Sequence, residues 1–123
     1  MKAMVVDDSR AMRMLMTREL LKWGFEVVQA GDGRQGLETL EKEQGAVRLV
    51  MVDWNMPVMD GLEFVQHVRA SPNFAAVRII MVTTETEIEQ MSRALEAGAD
   101  EYIMKPFTTE AVEDKLNMLG VLA

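Results

Sequence analysis

The sequence predicts an α/β domain: a doubly wound, five-stranded parallel sheet in the order 2-1-3-4-5, with helices on both faces. Two observations predict it. Short apolar runs alternate with longer amphipathic ones five times, and no linker or low-complexity stretch interrupts them. Three of the runs, KAMVV (2–6), LVMV (49–52) and RIIMV (78–82), are almost continuously apolar, which is how strands covered on both faces read. EVVQ (26–29) and EYIM (101–104) are more polar and suit the sheet edges. Strands alternating with helices imply parallel pairing through right-handed crossovers.

The helices follow in order. Over about residues 9–23, Met12, Leu15, Met16, Leu20 and Trp23 form a stripe at helical spacing, and Gly24 is placed to end it. Residues 34–43 and 61–70 carry the next two helices. Thr86 and Glu89 form a capping-box signature ahead of Met91, Ala94 and Leu95, with Gly98 as the stop. A last helix follows Thr108 and runs to about Leu119.

Composition narrows the function. The 123 residues fit one domain with a proper core, and 49% of them are hydrophobic. Twenty acidic against 13 basic residues give a net charge of −7, which does not attract phosphate backbones and argues against nucleic-acid binding. No apolar stretch approaches the ~20 residues of a membrane span, and no signal peptide is present, so no membrane association is expected and the cytoplasm is the expected location. The absence of cysteine is compatible with that location. The twelve methionines read as core gap-fillers rather than a metal feature.

A polar residue follows each of four apolar runs: Asp7-Asp8, Asp53, Thr83 and Lys105. In the expected sheet these strand ends share one rim, next to the point where strand order reverses, and ligands bind there. Three carboxylates that close cannot sit unpaired, since two like charges at about 4 Å repel by roughly 4 kcal/mol at an effective dielectric of ~20. Either some are protonated or a cation lies among them. Oxygen donors without histidine or cysteine favour Mg²⁺, with Mn²⁺ as the alternative. Lys105 and Thr83 suit the oxygens of a phosphoryl group. The set amounts to a carboxylate nucleophile with a metal, an ammonium and a hydroxyl to take up developing charge. Singly, each residue has an ordinary reading: Asp7-Asp8 as a helix N-terminal acid pair, Thr83 as a strand end, Lys105 as a loop lysine.

Asp7-Asp8, Asp53, Thr83 and Lys105-Pro106, in this order and spacing, closely resemble the receiver domain of two-component response regulators, which has a flavodoxin-like fold. DWNMPVMDGLEFV and ALEAGADEYIMKPF look most like the stand-alone chemotaxis response regulators (CheY-type). The resemblance covers essentially the whole chain and implies a single receiver domain over residues 1–123 with no output domain. It implies a signalling switch rather than an enzyme, with Asp53 as the phosphoacceptor for a sensor histidine kinase. Asp8, Asp53 and the backbone carbonyl of Asn55 would hold Mg²⁺, with Asp7 acting through a water. Thr83 and Lys105 would bind the phosphoryl oxygens, and Lys105-Pro106 would be a cis peptide. Asn55 and Glu85 would tune hydrolysis of the phosphoryl group. Thr83 and Tyr102 would form the switch, with Tyr102 turning inward on phosphorylation. A target protein would then dock on the fourth helix, fifth strand and fifth helix, and the domain would be a monomer. The stretch ETEIEQ is acidic around Ile88 and leaves the identity of that target open.

Other functions remain beside it. A stand-alone phosphorelay intermediate is the second reading. A phosphatase of the aspartyl-phosphate type needs an acid two residues after the nucleophile, and position 55 is Asn. A flavin site of the same fold would have its phosphate repelled by Asp7-Asp8. A phosphorylation-independent partner domain would be expected to lose the acceptor, the lysine or the acid pair. His67 reads as a surface residue of the third helix, and Trp54 as packing beside the cleft.

Overall fold

Apolar runs become interior strands here because helix layers on both sides let alternate side chains bury in opposite directions. In the computed structural model, which describes residues 1–84 and 90–122, five strands pair in parallel. They are β1 (Lys2–Val6), β2 (Glu26–Ala30), β3 (Val47–Asp53), β4 (Arg78–Thr83) and β5 (Glu101–Met104), in the order β2-β1-β3-β4-β5. The helices are α1 (Arg10–Leu21), α2 (Gly33–Lys42), α3 (Gly61–Ala70), α4 (Met91–Ala97) and α5 (Thr109–Met118), and a 3-10 turn at Pro72–Phe74 precedes β4. The two polar runs are the edge strands, as their sequences require.

Strand alternation sorts the core into two layers. Met4, Val6, Val50, Val52, Ile79 and Met81 meet Leu40 of α2, Phe64, Val65 and Val68 of α3, and Met91 and Ala94 of α4. Ala3, Val5, Leu49, Met51, Ile80, Val82 and Ile103 meet Met16 and Leu20 of α1 and Val112 and Leu116 of α5. Met4, Met16, Met51, Met81 and Met91 are buried, the gap-filling role expected of them, whereas Met14, Met104 and Met118 are exposed.

Caps set the helix starts. Ser9, Asp32, Asp60 and Thr108 each accept a backbone N–H of the following first turn. Asp60 with Glu63 completes a reciprocal capping box. Two expected core positions are corrected. Leu15 and Leu95 are 40% and 43% exposed. Each helix packs on the sheet with a narrow stripe, Met16 and Leu20 on α1 and Met91 and Ala94 on α4, so the adjacent leucine turns to solvent. The expected capping box at Thr86 and Glu89, with the acidic stretch around Ile88, lies outside the described residues.

One loop carries strain. Val58, between β3 and α3, has φ 69° and is 73% exposed. A β-branched residue in the left-handed region is a genuine outlier, and no buried contact of an exposed side chain offsets it. Val58→Asn is expected to raise the unfolding free energy by about 1 kcal/mol, because Asn tolerates this conformation. Urea denaturation would check this, and an unchanged midpoint would show that the turn relaxes around valine.

Candidate functional site

The sheet order brings the carboxyl ends of β1, β3, β4 and β5 to one rim. Asp53 is the last residue of β3 and is 7% exposed. Asp7 follows β1 and is 1% exposed, while Asp8, next along, is exposed. Ligand oxygens of Asp7, Asp8 and Asp53 lie within 4.8 Å of one another. Thr83, fully buried, ends β4. Lys105 follows β5, its backbone N–H donating to the Thr83 carbonyl at 2.6 Å, and the Lys105–Pro106 peptide is cis.

Charge is already distributed within this cluster. Lys105 Nζ donates to Asp53 Oδ1 at 2.8 Å and to Asp7 Oδ2 at 3.4 Å. Burial alone would lower the Lys105 pKa, but the hydrogen bond and charge of Asp53 and the charge of Asp7 outweigh it and raise the value above 10.5. The other Asp7 oxygen accepts the Ser9 N–H at 2.8 Å. One ammonium thus faces two buried carboxylates, and the third carboxylate, Asp8, opens to water.

Backbone contacts hold the cluster in place. The Trp54 N–H donates to the Val82 carbonyl and the Gly61 N–H to the Trp54 carbonyl, at 3.2 and 2.8 Å. A Cβ at position 61 would run into the Asp53 carbonyl oxygen, so this close return of the loop requires glycine. Trp54 itself is buried beside the acid.

Arg13 is a residue that sequence reasoning missed. Its Nη1 donates to the Asp7 carbonyl at 2.7 Å and its Nε to Gln29 Oε1 at 3.3 Å, which pins the acid loop against β2. The available signal was a cation on the first helix, little more than one turn after the acid pair.

Of the remaining expected residues, Asn55 is exposed on the loop after β3, and Tyr102 is half-buried on β5. Glu85 lies outside the described residues. His67 is exposed on α3. The donor set fits a hard divalent cation: three carboxylates, all oxygen donors, with Asp8 exposed to water. No described helix is long and apolar enough to cross a membrane.

Known proteins are similar to this chain over nearly its whole length. The family profile of the response regulator receiver domain matches residues 3–117. Chemotaxis protein CheY1 of Helicobacter pylori is 40% identical over 120 residues, covering 97% of this chain and 96% of its own length. The chemotaxis protein CheY homolog of Campylobacter jejuni subsp. jejuni is 42% identical over 122 residues, covering 98% and 93%. Among solved structures, chemotaxis protein CheY4 of Vibrio cholerae superposes with a TM-score of 0.87 at 36% identity, over 96% of this chain and 97% of that one. With a profile spanning nearly every residue and relatives aligned end to end, the chain belongs to the response regulator receiver domain family.

Proposed function

We propose that this chain is a phosphorylation-activated signalling switch in which Asp53 takes a phosphoryl group from a phosphohistidine of a sensor kinase. The observation that carries the reading is the placement of Asp53 Oδ1 against Lys105 Nζ at 2.8 Å, inside a cluster that also contains Asp7 and Asp8. Transfer forms a bond from an Asp53 carboxylate oxygen to phosphorus and breaks the phosphorus–nitrogen bond, so the donor imidazole leaves. Asp7, Asp8, Asp53 and the Asn55 carbonyl would hold Mg²⁺, which when bound supplies positive charge opposite the phosphoryl oxygens.

The chain's own residues do the rest. Lys105, already on Asp53, follows the negative charge outward as it moves onto the phosphoryl oxygens. The Thr83 hydroxyl lies on the neighbouring strand and donates to the new group, and its movement couples to Tyr102. Asn55 and Glu85 then set how fast water removes the phosphoryl group. The altered surface of α4, β5 and α5 selects the target protein.

Chemotaxis is the pathway this reading favours, supported by the names of the relatives. Output through a separate partner by a monomeric receiver domain, met in the cytoplasm, belongs to the same reading. A phosphorelay intermediate is the second reading, separated from the first by the lifetime of the phosphoryl group.

The test follows tryptophan emission during Mg²⁺ titration and then on addition of acetyl phosphate, with Trp23→Phe to isolate Trp54. Expected are a saturable Mg²⁺ response and a transient phosphodonor response that Asp53→Asn abolishes. Rapid decay favours chemotaxis and slow decay a relay. Mg²⁺ binding with no covalent modification of Asp53, checked by mass spectrometry, would reduce the chain to a metal-binding partner domain.

A further inference from the structure

Tyr102 and Glu101 are neighbours on an edge strand, so their side chains leave opposite faces of the sheet. The Tyr102 ring packs against the layer under α4, which also contains Met81, its register partner on β4. Thr83 is two residues beyond Met81 and shares that face, which makes the Thr83 hydroxyl and the Tyr102 ring diagonal neighbours.

A group from α5 reaches both faces of this edge. Lys115 Nζ stands 5.0 Å from the centroid of the Tyr102 ring and 2.8 Å from Glu101 Oε1. That same oxygen accepts the Tyr102 backbone N–H at 3.3 Å. The ammonium therefore straddles β5, with a carboxylate on one side and an aromatic face on the other. The side chains of Lys115 and Glu101 are only 23% and 25% exposed, so neither is a freely solvated surface charge.

We propose that Lys115 is a latch on Tyr102: anchored by Glu101, its ammonium holds the ring half-exposed at the sheet edge. Releasing it lets the ring turn toward Thr83 and the phosphorylation cleft. The regulatory half of this rests on the reading of Thr83 and Tyr102 as the switch pair. A cation over a partly desolvated ring biases its position by about threefold, and a ring that turns inward gives that interaction up. Loss of the Lys115 charge thus favours the inward state, and by linkage a ring drawn inward by phosphorylation gives up its contact with the Lys115 ammonium.

The chain contains one tyrosine, so 3-fluorotyrosine labelling yields a single fluorine reporter at Tyr102. Its exposure is read from relaxation by a soluble nitroxide, on the unphosphorylated full chain. Lys115→Met keeps the apolar stem and should raise the inward-to-outward ratio about threefold, seen as weaker nitroxide relaxation. Glu101→Gln should act in the same direction to a smaller degree, and it decides the matter if Lys115→Met does not fold. Lys115→Arg should resemble the parent. Unchanged exposure in both neutralising variants overturns the latch.

A second arm adds Mg²⁺ and acetyl phosphate to the parent protein. Reduced exposure supports the link between latch and site, whereas modification of Asp53 with an unmoved ring overturns it. No modification of Asp53 at all overturns the receiver reading and the regulatory half with it, while the first arm alone decides the latch.

Discussion

Lys105→Met should lower the unfolding free energy of the metal-free protein by about 2–3 kcal/mol. The substitution keeps the length of the side chain and removes its charge. What remains is Asp53 and Asp7, both buried, without the ammonium that contacts them at 2.8 and 3.4 Å. Breaking a buried pair from one side is worse than never having had it, because the surviving carboxylates stay desolvated and face each other. The penalty should shrink when Mg²⁺ is added, since a ligand that binds only the folded state stabilises it by about 2.7 kcal/mol at a hundredfold excess over Kd. The apparent Mg²⁺ affinity of the variant should rise, as no ammonium competes for the Asp53 oxygens. Phosphoryl acceptance from acetyl phosphate should nevertheless fall by about 10²-fold, the usual loss when one charge-stabilising donor is removed.

The pH dependence follows from the direction of the Lys105 shift. Its folded pKa is raised above the ordinary 10.5. Such a group contributes stability that is fully present below the unfolded value and is lost as pH rises through the folded value. The stability gap between the parent and Lys105→Met should therefore hold steady from neutral pH to about 10 and close only above that range. Urea denaturation in chelator and in Mg²⁺, repeated across that range, measures all of this except the transfer rate. A gap insensitive to Mg²⁺ would show that the two carboxylates are neutralised by something other than Lys105.

Arg69→Met should be at least as damaging to the fold, by about 3–4 kcal/mol. Arg69 on α3 donates to the carbonyls of Gly98, Phe74 and Val77 at 2.8, 3.2 and 2.7 Å, and to Asp100 Oδ2 at 2.8 Å. Asp100 Oδ2 also accepts the Ile79 N–H at 2.8 Å. One guanidinium thus ties α3, the Pro72–Phe74 turn, the approach to β4, the end of α4 and the approach to β5. Removing it takes a donor from three carbonyls, of which Phe74 keeps the Val77 N–H, and leaves the part-buried Asp100 with only the Ile79 N–H and Arg78. Arg69→Lys should recover little, because a point charge cannot reproduce a planar fork of donors.

Gly98 offers a check on the same joint. Its φ is +118°, and a Cβ there would run into the Arg69 side chain. Gly98→Ala and Arg69→Ala should therefore be less than additive, since the second substitution removes the clash created by the first. Thermal melts should show Arg69→Met losing about 10 °C or more, with Mg²⁺ affinity unchanged while the protein is folded, as Arg69 serves the strand starts rather than the ends that carry the acids. Altered metal affinity would mean that the joint is felt across the sheet.

What the sequence determined by itself was periodic or local. Continuous apolar runs marked interior strands, and polar runs marked the edges at 26–29 and 101–104. Ser9 and Thr108 announced helix starts, and Asp7-Asp8, Asp53, Thr83 and Lys105 stood out as polar residues closing apolar runs. These signals are legible because strand and helix geometry forces side chains onto faces with periods of about 2 and 3.6 residues, so the pattern of burial is written along the chain.

The tertiary structure decided where those side chains meet. Lys105 reaches Asp53 and Asp7 because β5, β3 and β1 end on one rim, and Arg13 reaches the Asp7 carbonyl because α1 folds back beside β2. Arg69 finds three carbonyls and Lys115 finds Tyr102 through contacts between elements that no periodicity records. Leu15 and Leu95 fit a helical stripe yet face water, because the width of the buried stripe depends on how closely each helix lies on the sheet. Val58 takes a positive φ because the chain must turn between β3 and α3, at a cost its own side chain would avoid. Faces follow from local geometry, whereas distances follow from register and crossover, and electrostatics in this site depends on the distances.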